Sequence, residues 1–232
     1  MNGKSQASRK FLFEEEAISQ SPVRLTDQAY RKLEEMIVTL QLAPGSTCSE
    51  AMICDRINIG RTPVREALQR LALEQLVQIV PRYGVIVTEI LVPEQIMVVE
   101  MRRVLEPLIA SRAARRSSVR EKIRMAELRA KLLETLETGD VLAYLRLHFI
   151  IRQFVSKSTR NKFLASALAP IDALSRRFFY VHQSHPDQLH KAGKLHADVL
   201  HAIATENEPE AVSAANRLIN HIEEFTRAAF KA

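Results

Sequence analysis

The pattern of apolar and polar positions divides the chain into two parts with different periods. After residue 93 apolar residues recur at helical spacing, and no segment alternates as a strand would. Between residues 60 and 88 the spacing changes from a helical period to a strand-like alternation. The sequence therefore predicts a mainly α protein with a mixed domain over residues 22–90 and an all-α domain over residues 94–232. Residues 1–21 are polar and predict a flexible arm.

The helix predicted at the start of the stretch 60–88 has one apolar and one polar face. Thr62 is expected to cap it, with Pro63 at the first helical position, where a missing N–H breaks no hydrogen bond. The apolar face consists of Val64, Leu68, Leu71, Ala72 and Leu76. The polar side chains off that face are Arg61, Arg65, Gln69 and Arg70. Two arginines four residues apart thus lie at the amino-terminal end of the helix.

A β-hairpin is predicted directly after this helix. Apolar residues alternate on either side of a polar turn formed by Pro81, Arg82, Tyr83 and Gly84. Gly84 is expected to supply a positive φ or a close approach to DNA at the tip. An arginine-bearing helix followed by a β-ribbon is typical of a winged helix-turn-helix, whose helix enters the DNA major groove. An ordinary amphipathic helix beside a hairpin would give the same local pattern.

The residues upstream favour the winged helix-turn-helix. An amphipathic helix is predicted over Ala29–Leu40, closed by Ala43-Pro44-Gly45. A short second helix, capped by Ser49, is predicted to end at Ile57, and Asn58-Ile59-Gly60 forms the turn into the helix described above. The sequence therefore predicts three helices followed by a small β-hairpin.

The order of these elements resembles the DNA-binding domain of the GntR family of bacterial transcription regulators. The motifs LxPG, SE, RTPVREAL and RxGxxV occur in that order between residues 42 and 87. The resemblance implies binding of double-stranded DNA. The residues expected to contact DNA are Arg61, Thr62, Arg65, Gln69, Arg70, Arg82, Tyr83 and Gly84. In the family an arginine often follows the SE pair, and this chain has Ala51 there, so that contact is absent.

The net charge of +6 does not by itself indicate DNA binding. Residues 1–90 hold eleven Lys or Arg and eleven Asp or Glu, whereas the rest of the chain holds 22 basic and 16 acidic residues. The predicted DNA-binding half is therefore neutral, and the interpretation depends on where individual arginines lie.

The composition indicates a cytoplasmic protein. No apolar run approaches the ~18 residues that a membrane-spanning helix needs. The amino terminus lacks the pattern of a signal peptide. Cys48 and Cys54 have no second pair to complete a zinc site, so both are expected to be reduced and structural.

Six helices are predicted after Pro93, with short connections. Their expected ranges are 93–117, 119–138, 140–158, 161–183, 187–205 and 208–230. Helices of this length with short connections form an antiparallel bundle, and bundles bind small ligands between facing helices.

This half of the chain resembles the FadR type of carboxyl-terminal ligand-binding domain, the FCD domain, which follows the GntR winged helix in one branch of the family. The resemblance depends on Glu100-Met101-Arg102 with Leu105-Glu106, on the spacing from Arg152 to Asn161, and on the segment from His196 to His221. It implies a divalent metal such as zinc or nickel, bound by one Asp and three His. His196 and His221 match two of those ligands. His148 stands at the Asp position, and Arg152 stands where the remaining His would be.

Arg152 leaves the chemistry of this site open. An arginine cannot ligate a metal, so a metal would depend on His148, His196 and His221. Alternatively, a buried guanidinium could bind a carboxylate of the effector, with Arg102 as a second contact. In a third interpretation, Arg152 pairs with an internal acid such as Glu100 or Glu106. The residues expected to bind an effector are Arg102, His148, Arg152, His196 and His221.

The sequence thus predicts a ligand-responsive transcription regulator rather than an enzyme. It is expected to act as a repressor, to bind a palindromic operator as a homodimer, and to take a small organic acid as its effector. Two alternatives remain at this point. One is a metal-dependent enzyme built on the helical bundle, and the other is a constitutive DNA-binding dimer without an effector.

Overall fold

A computed structural model describes residues 24–183 and 186–229 of the chain. The predicted flexible arm, residues 1–21, lies outside these ranges. The chain separates between Thr88 and Glu89 into two compact units, and each unit is described by itself below.

From residue 24 onwards, the first unit contains three helices and a three-stranded sheet, which confirms the predicted winged helix-turn-helix. The helices are α1 (Leu25–Val38), α2 (Glu50–Ile57) and α3 (Arg61–Leu73). The range predicted for α1, Ala29–Leu40, is shifted from the observed one. The helix begins four residues before Ala29 and ends before Leu40. Leu40 has a positive φ of 58°, which takes the backbone out of the helix. Ser49 caps α2 as predicted, by accepting a hydrogen bond from the backbone N–H of Met52.

The start of α3 differs from the prediction. Gly60 is the N-cap, not Thr62, and the first helical residue is Arg61. The reason lies in the preceding turn, where Asn58 adopts the left-handed conformation and closes α2, so the chain re-enters a helix after only two more residues. Thr62 and Pro63 therefore belong to the first turn of α3. Backbone N–H groups there have no intrahelical partner, so the proline still costs no hydrogen bond.

The sheet consists of β1 (Thr47–Cys48), β2 (Val77–Val80) and β3 (Gly84–Val87), in the antiparallel order β1-β3-β2. Strands β2 and β3 form the predicted hairpin, with Ile79 opposite Val85. The sequence did not predict β1, because two residues are too few to show an alternation. This strand pairs with the far edge of β3 and fixes the hairpin to the helices.

Gly84 has the positive φ that was predicted, and its close approach is to a strand of the same chain. Its φ is +106°, a conformation that side chains disfavour. A Cβ atom at this position would lie 2.6 Å from the carbonyl oxygen of Cys48 in β1. The close approach is thus between two strands of the same chain, and contact with DNA is not required to explain the glycine.

The second unit is a bundle of six helices, as predicted. They are α4 (Val92–Arg116), α5 (Val119–Thr138), α6 (Val141–Ser158), α7 (Lys162–His182), α8 (Pro186–Ala204) and α9 (Glu208–Ala229). Ser118 and Glu121 form a capping box at the start of α5. Asp140 and Asn161 cap α6 and α7 through their side-chain oxygens. Asp140 and Asn161 are also the residues at which the predicted ranges 140–158 and 161–183 begin.

The core of the bundle forms where α4 packs on α9, α8 packs on α5 and α9, and α6 packs on its neighbours α5 and α7. Aliphatic side chains from five helices are almost completely excluded from solvent there: Ile109, Leu132, Ile151, Leu200, Ile203 and Ile219. In the described part of the chain, none of the helices has the length and apolar character required to cross a bilayer.

Candidate DNA-binding surface and ligand cavity

Helix α3 presents a continuous polar face to solvent. Its opposite face is buried through Val64, Ala67, Leu68 and Leu71. The exposed side chains on the polar face include Arg61, Thr62, Arg65 and Gln69, with Glu66 also exposed. The first four are residues that the sequence assigned to DNA contact, and they stand together along one edge of a helix whose first turn is open to solvent. Such an edge has the shape and donors that fit the DNA major groove.

Arg65 is held in place by a carboxylate on the neighbouring helix. Its Nη2 lies 2.8 Å from Oε2 of Glu50 in α2, and its Nε donates to the same carboxylate. The side chain of Arg65 remains 63% exposed and that of Glu50 31% exposed. The hydrogen bond from Arg65 holds the pKa of Glu50 below its usual value. Glu50 was not predicted as a functional residue, although it belongs to the SE motif.

Arg70 has a different position from the other polar residues of α3. Its guanidinium lies over the ring of Tyr30, 3.6 Å from the ring centroid, and its Nε donates to Glu74 at 3.2 Å. The hydroxyl of Tyr30 donates to the same carboxylate at 2.6 Å. Arg70 therefore ties α3 to α1, and the four residues at the exposed edge are the better candidates for contact with DNA.

The tip of the hairpin, called the wing below, is formed by Pro81, Arg82 and Tyr83. All three are exposed, and the Tyr83 side chain is 78% exposed. Arg82 adopts a positive φ of 68°, which turns the chain between β2 and β3. An exposed arginine and an exposed aromatic ring at the tip of the wing suit contact with a DNA backbone.

A cavity lies within the helical bundle. Its empty volume is about 490 Å³, part of which is open to solvent. Four of the five residues expected to bind an effector line it, namely Arg102, His148, His196 and His221. They come from four different helices, α4, α6, α8 and α9. Sequence reasoning missed other lining residues, of which Gln95, Tyr144, Ser175 and Arg176 carry polar groups.

Arg152 lies outside this lining and is already neutralised. Its Nη1 and Nη2 donate to the two carboxylate oxygens of Glu106 at 2.8 and 2.6 Å, and its Nε donates to Asp172 at 2.9 Å. This arrangement corrects the prediction that Arg152 binds the carboxylate of an effector. Glu106 accepts from both Nη groups of the guanidinium and Asp172 accepts from Nε, so the third interpretation, pairing with an internal acid, describes this residue. Asp172 had not been predicted, although it is the acidic residue of α7.

The charges around Arg152 form one buried cluster, which ties α4, α6 and α7 together. Burial alone would raise the pKa of Glu106, but the guanidiniums of Arg152 and Arg102 hold it at about 2. Burial alone would lower the pKa of Arg152, and Glu106 and Asp172 raise it instead. Arg176 also pairs with Asp172, at 3.3 Å. Within the described residues, three arginines of this cluster face two carboxylates.

His148 and His196 form a hydrogen bond whose donor can be assigned. Nδ1 of His196 lies 2.9 Å from the carbonyl oxygen of Ala192, and a carbonyl only accepts, so Nδ1 carries the hydrogen. Burial and the charge of Arg152 lower the pKa of His196 to about 4, so its Nε2 is a bare acceptor near neutral pH. Nε2 of His148 lies 2.9 Å away and must donate. Nδ1 of His148 is therefore unprotonated.

Several buried polar atoms of the cavity have no hydrogen-bond partner among the described residues. They are Nη2 of Arg102, Nδ1 of His148, Oγ of Ser175 and Nδ1 of His221. Nη2 of Arg102 is 2.8 Å from Glu106 but makes no aligned hydrogen bond with it. Unsatisfied buried polar atoms are rare in folded proteins and are costly, so their concentration around one cavity indicates a polar ligand.

Two family models match the chain. The model described as bacterial regulatory proteins, gntR family, matches residues 25–87, and the FCD domain matches residues 97–221, more than half of the chain. The chain belongs to the GntR family and carries an FCD domain. The two matches correspond to the two structural units.

Curated relatives of this GntR-family protein are also described as regulators. The chain is 38% identical over 90 residues to the HTH-type transcriptional repressor RspR of Escherichia coli (strain K12). The matched segment covers 39% of this chain and 40% of RspR. It is 46% identical over 61 residues to an uncharacterized HTH-type transcriptional regulator of Streptomyces ambofaciens. That matched segment covers 26% of each protein. The matches thus span less than half the length of these relatives.

Solved structures share the fold. E. coli McbR/YncC superimposes with a TM-score of 0.75 at 18% identity, over 90% of this chain and 100% of that one. A putative GntR regulator from Rhodococcus sp. RHA1 has a TM-score of 0.66 at 19% identity, over 89% and 98% of the two chains. At this identity the two structures show the fold alone. The family models and the curated relatives indicate a transcription regulator of the GntR type rather than an enzyme.

Proposed function

We propose that this GntR-family regulator binds a two-fold symmetric DNA operator as a homodimer, and that a small organic anion in the bundle cavity changes its affinity for DNA. The observation that carries this proposal is the combination, in one chain, of an exposed arginine edge on α3 and a cavity lined by unsatisfied polar atoms. The first supplies contacts to bases, and the second supplies contacts to a ligand.

Base reading by α3 follows from the geometry of its exposed edge. A guanidinium that donates two parallel hydrogen bonds fits O6 and N7 of guanine, and such a pair contributes ~1–3 kcal/mol of discrimination between bases. Arg61 and Arg65 lie four residues apart, so they project from the same face of the helix on successive turns. The wing, with Arg82 and Tyr83, is proposed to contact the DNA backbone and so to position α3 without reading sequence.

An anion suits the cavity because two buried hydrogen-bond donors of its lining have no hydrogen-bond partner among the described residues. They are Nη2 of Arg102 and Oγ of Ser175, and the lining histidines His148 and His196 are neutral near neutral pH. Unsatisfied buried donors are costly, so the oxygens of an anionic ligand would stabilise the loaded bundle. A protein that bound DNA constitutively would have no need of such a cavity, and this observation favours an effector.

A homodimer is supported by an apolar stripe on α4. Met97, Met101, Val104 and Leu108 recur at helical spacing, and their side chains are between 37% and 69% exposed. A second copy of the same helix, related by a two-fold axis, would cover the stripe. Repression, rather than activation, is proposed from the name of the relative RspR, which is described as a repressor.

The DNA part of the proposal is tested by selecting binding sites from random double-stranded DNA on the full-length protein. We expect an inverted repeat to be enriched, with two chains bound per site. Tyr83→Ala should select the same motif with weaker affinity, because the wing is proposed to hold the DNA backbone while α3 contacts the bases. Failure of the wild-type protein to enrich any motif, or enrichment of an asymmetric site by a single chain, would contradict the proposal.

A further inference from the structure

The residues around the cavity do not fit the divalent metal that the FCD family implies. Of the four positions that would supply ligands, one holds Arg152, whose guanidinium cannot bind a metal. The lone pair of His196 Nε2 already accepts the hydrogen bond from His148. Among the residues that the structure describes, no three His, Cys, Asp or Glu side chains are grouped so that they could hold a metal ion.

The electrostatic surroundings also disfavour a dication. Both carboxylates near the histidines, Glu106 and Asp172, are bound by Arg152 at 2.6–2.9 Å and are not available as ligands. The guanidiniums of Arg102 and Arg176 belong to the same cavity lining as His148 and His196. Their positive charge repels a doubly charged cation.

The unsatisfied atoms of the cavity define what a ligand must offer. Nη2 of Arg102 and Oγ of Ser175 can both donate, so they suit the oxygens of a carboxylate. Nδ1 of His148 can only accept, because the hydrogen of this ring is on Nε2. A ligand that satisfies these two donors and this acceptor must combine an anionic group with a hydrogen-bond donor such as a hydroxyl.

We propose that the cavity binds a small carboxylate directly, without a divalent metal ion, and that Nδ1 of His148 selects ligands carrying a hydroxyl or amino donor near the carboxylate. The proposal rests on the effector function proposed above and names the chemistry of that site. Arg152 then has the place of a metal ligand in sequence but a purely structural role, since it fastens α6 to α4 and α7.

The test compares two probe acids that differ by one hydroxyl group. The melting temperature of the full-length protein is measured with sodium lactate or sodium propionate at equal millimolar concentrations, first with EDTA and then with ZnCl₂ instead. We expect lactate to raise the melting temperature by more than propionate does, with the same result in EDTA and in zinc. ZnCl₂ alone should produce no stabilisation.

Two variants test whether Nδ1 of His148 is the atom that distinguishes lactate from propionate. His148→Phe keeps an aromatic ring but removes the acceptor, and should make the shifts with lactate and propionate equal. Ser175→Ala should reduce the shift with both acids. The wild-type comparison decides the question by itself if a variant does not fold.

Each other outcome has a distinct meaning. Equal shifts with the two acids in the wild-type protein would overturn the role of His148. Shifts that appear only with ZnCl₂, or stabilisation by ZnCl₂ alone, would overturn the metal-free site while leaving an anionic effector in place. No shift with either acid under both conditions would instead contradict the anionic effector of the proposed function.

Discussion

Two arginine–carboxylate clusters of the described residues have similar bond lengths and very different surroundings. Arg65 donates to Glu50 at 2.8 Å on the surface of the first unit, and these side chains are 63% and 31% exposed. Arg152 donates to Glu106 and Asp172 at 2.6–2.9 Å inside the helical bundle, where all three side chains are at most 7% exposed. The same pairing is therefore exposed to water in the first cluster and enclosed by protein in the second.

The difference in burial decides what each arginine can do. An exposed ion pair contributes little to stability, so Arg65 can exchange Glu50 for a guanine or a phosphate at small cost. A buried guanidinium cannot give up its carboxylates without exposing an uncompensated charge to the protein interior. Arg65 is thus a candidate contact with a partner, whereas Arg152 is part of the framework that surrounds the cavity.

The largest expected effect is that of Arg152→Ala. This variant leaves Glu106 and Asp172 buried with one guanidinium fewer, and we expect the bundle to lose about 3–5 kcal/mol of unfolding free energy. Urea denaturation followed by circular dichroism measures this loss. Arg65→Ala is the matched control and should leave the midpoint close to that of the wild type. A similar midpoint for Arg152→Ala would show that the buried cluster is not what holds α6 to α4 and α7.

Acid should remove the stabilisation that the charged form of Glu106 gives to the buried cluster. The pKa of Glu106 is about 2 in the folded protein and near 4.5 without neighbours. The stabilisation from its charged form is therefore complete above about 4.5 and is lost as the pH falls through that range towards 2. The difference corresponds to on the order of 3 kcal/mol.

Glu106→Gln isolates this contribution, because the amide does not titrate. At neutral pH the variant should be less stable than the wild type, and the gap should narrow as the pH falls from about 4.5 towards 2. Urea midpoints measured across that range provide the comparison. A gap that stays constant would mean that Glu106 does not titrate in the folded protein as its surroundings require.

A smaller effect is expected from Glu50→Gln in the exposed cluster. The carboxylate restricts Arg65 to one orientation and also repels DNA phosphates. Its removal should raise affinity for any DNA slightly and lower the preference for the selected motif a few-fold. Competition binding with the motif and with a scrambled duplex measures the ratio. An unchanged ratio would show that Glu50 has no part in positioning Arg65.

Local sequence rules predicted the helices and the hairpin, because each depends on neighbours in the chain. Caps such as Ser49 and Asn161 and the alternation around the wing identified most of the elements. The same rules failed for β1, whose pairing with β3 depends on residues about forty positions away. They also misplaced the cap of α3, because Thr62 and Gly60 are both acceptable caps locally.

The site could be predicted only in part, for a related reason. Four cavity residues were found because the family resemblance places them. The role of Arg152 could not be decided from sequence, because its partners Glu106 and Asp172 come from two other helices. Which acid neutralises a buried arginine is a property of packing, and helical spacing alone does not determine it.

The most direct test of the account is the DNA affinity of Arg65→Ala, measured by fluorescence anisotropy on the motif selected by the wild-type protein and on a scrambled duplex. We predict that affinity for the motif falls by about one to two orders of magnitude, the loss of one bidentate base contact, while affinity for the scrambled duplex changes much less. The melting temperature should remain that of the wild type. If Arg65→Ala keeps the wild-type preference for the motif, α3 does not read the operator through Arg65 and the central claim is wrong.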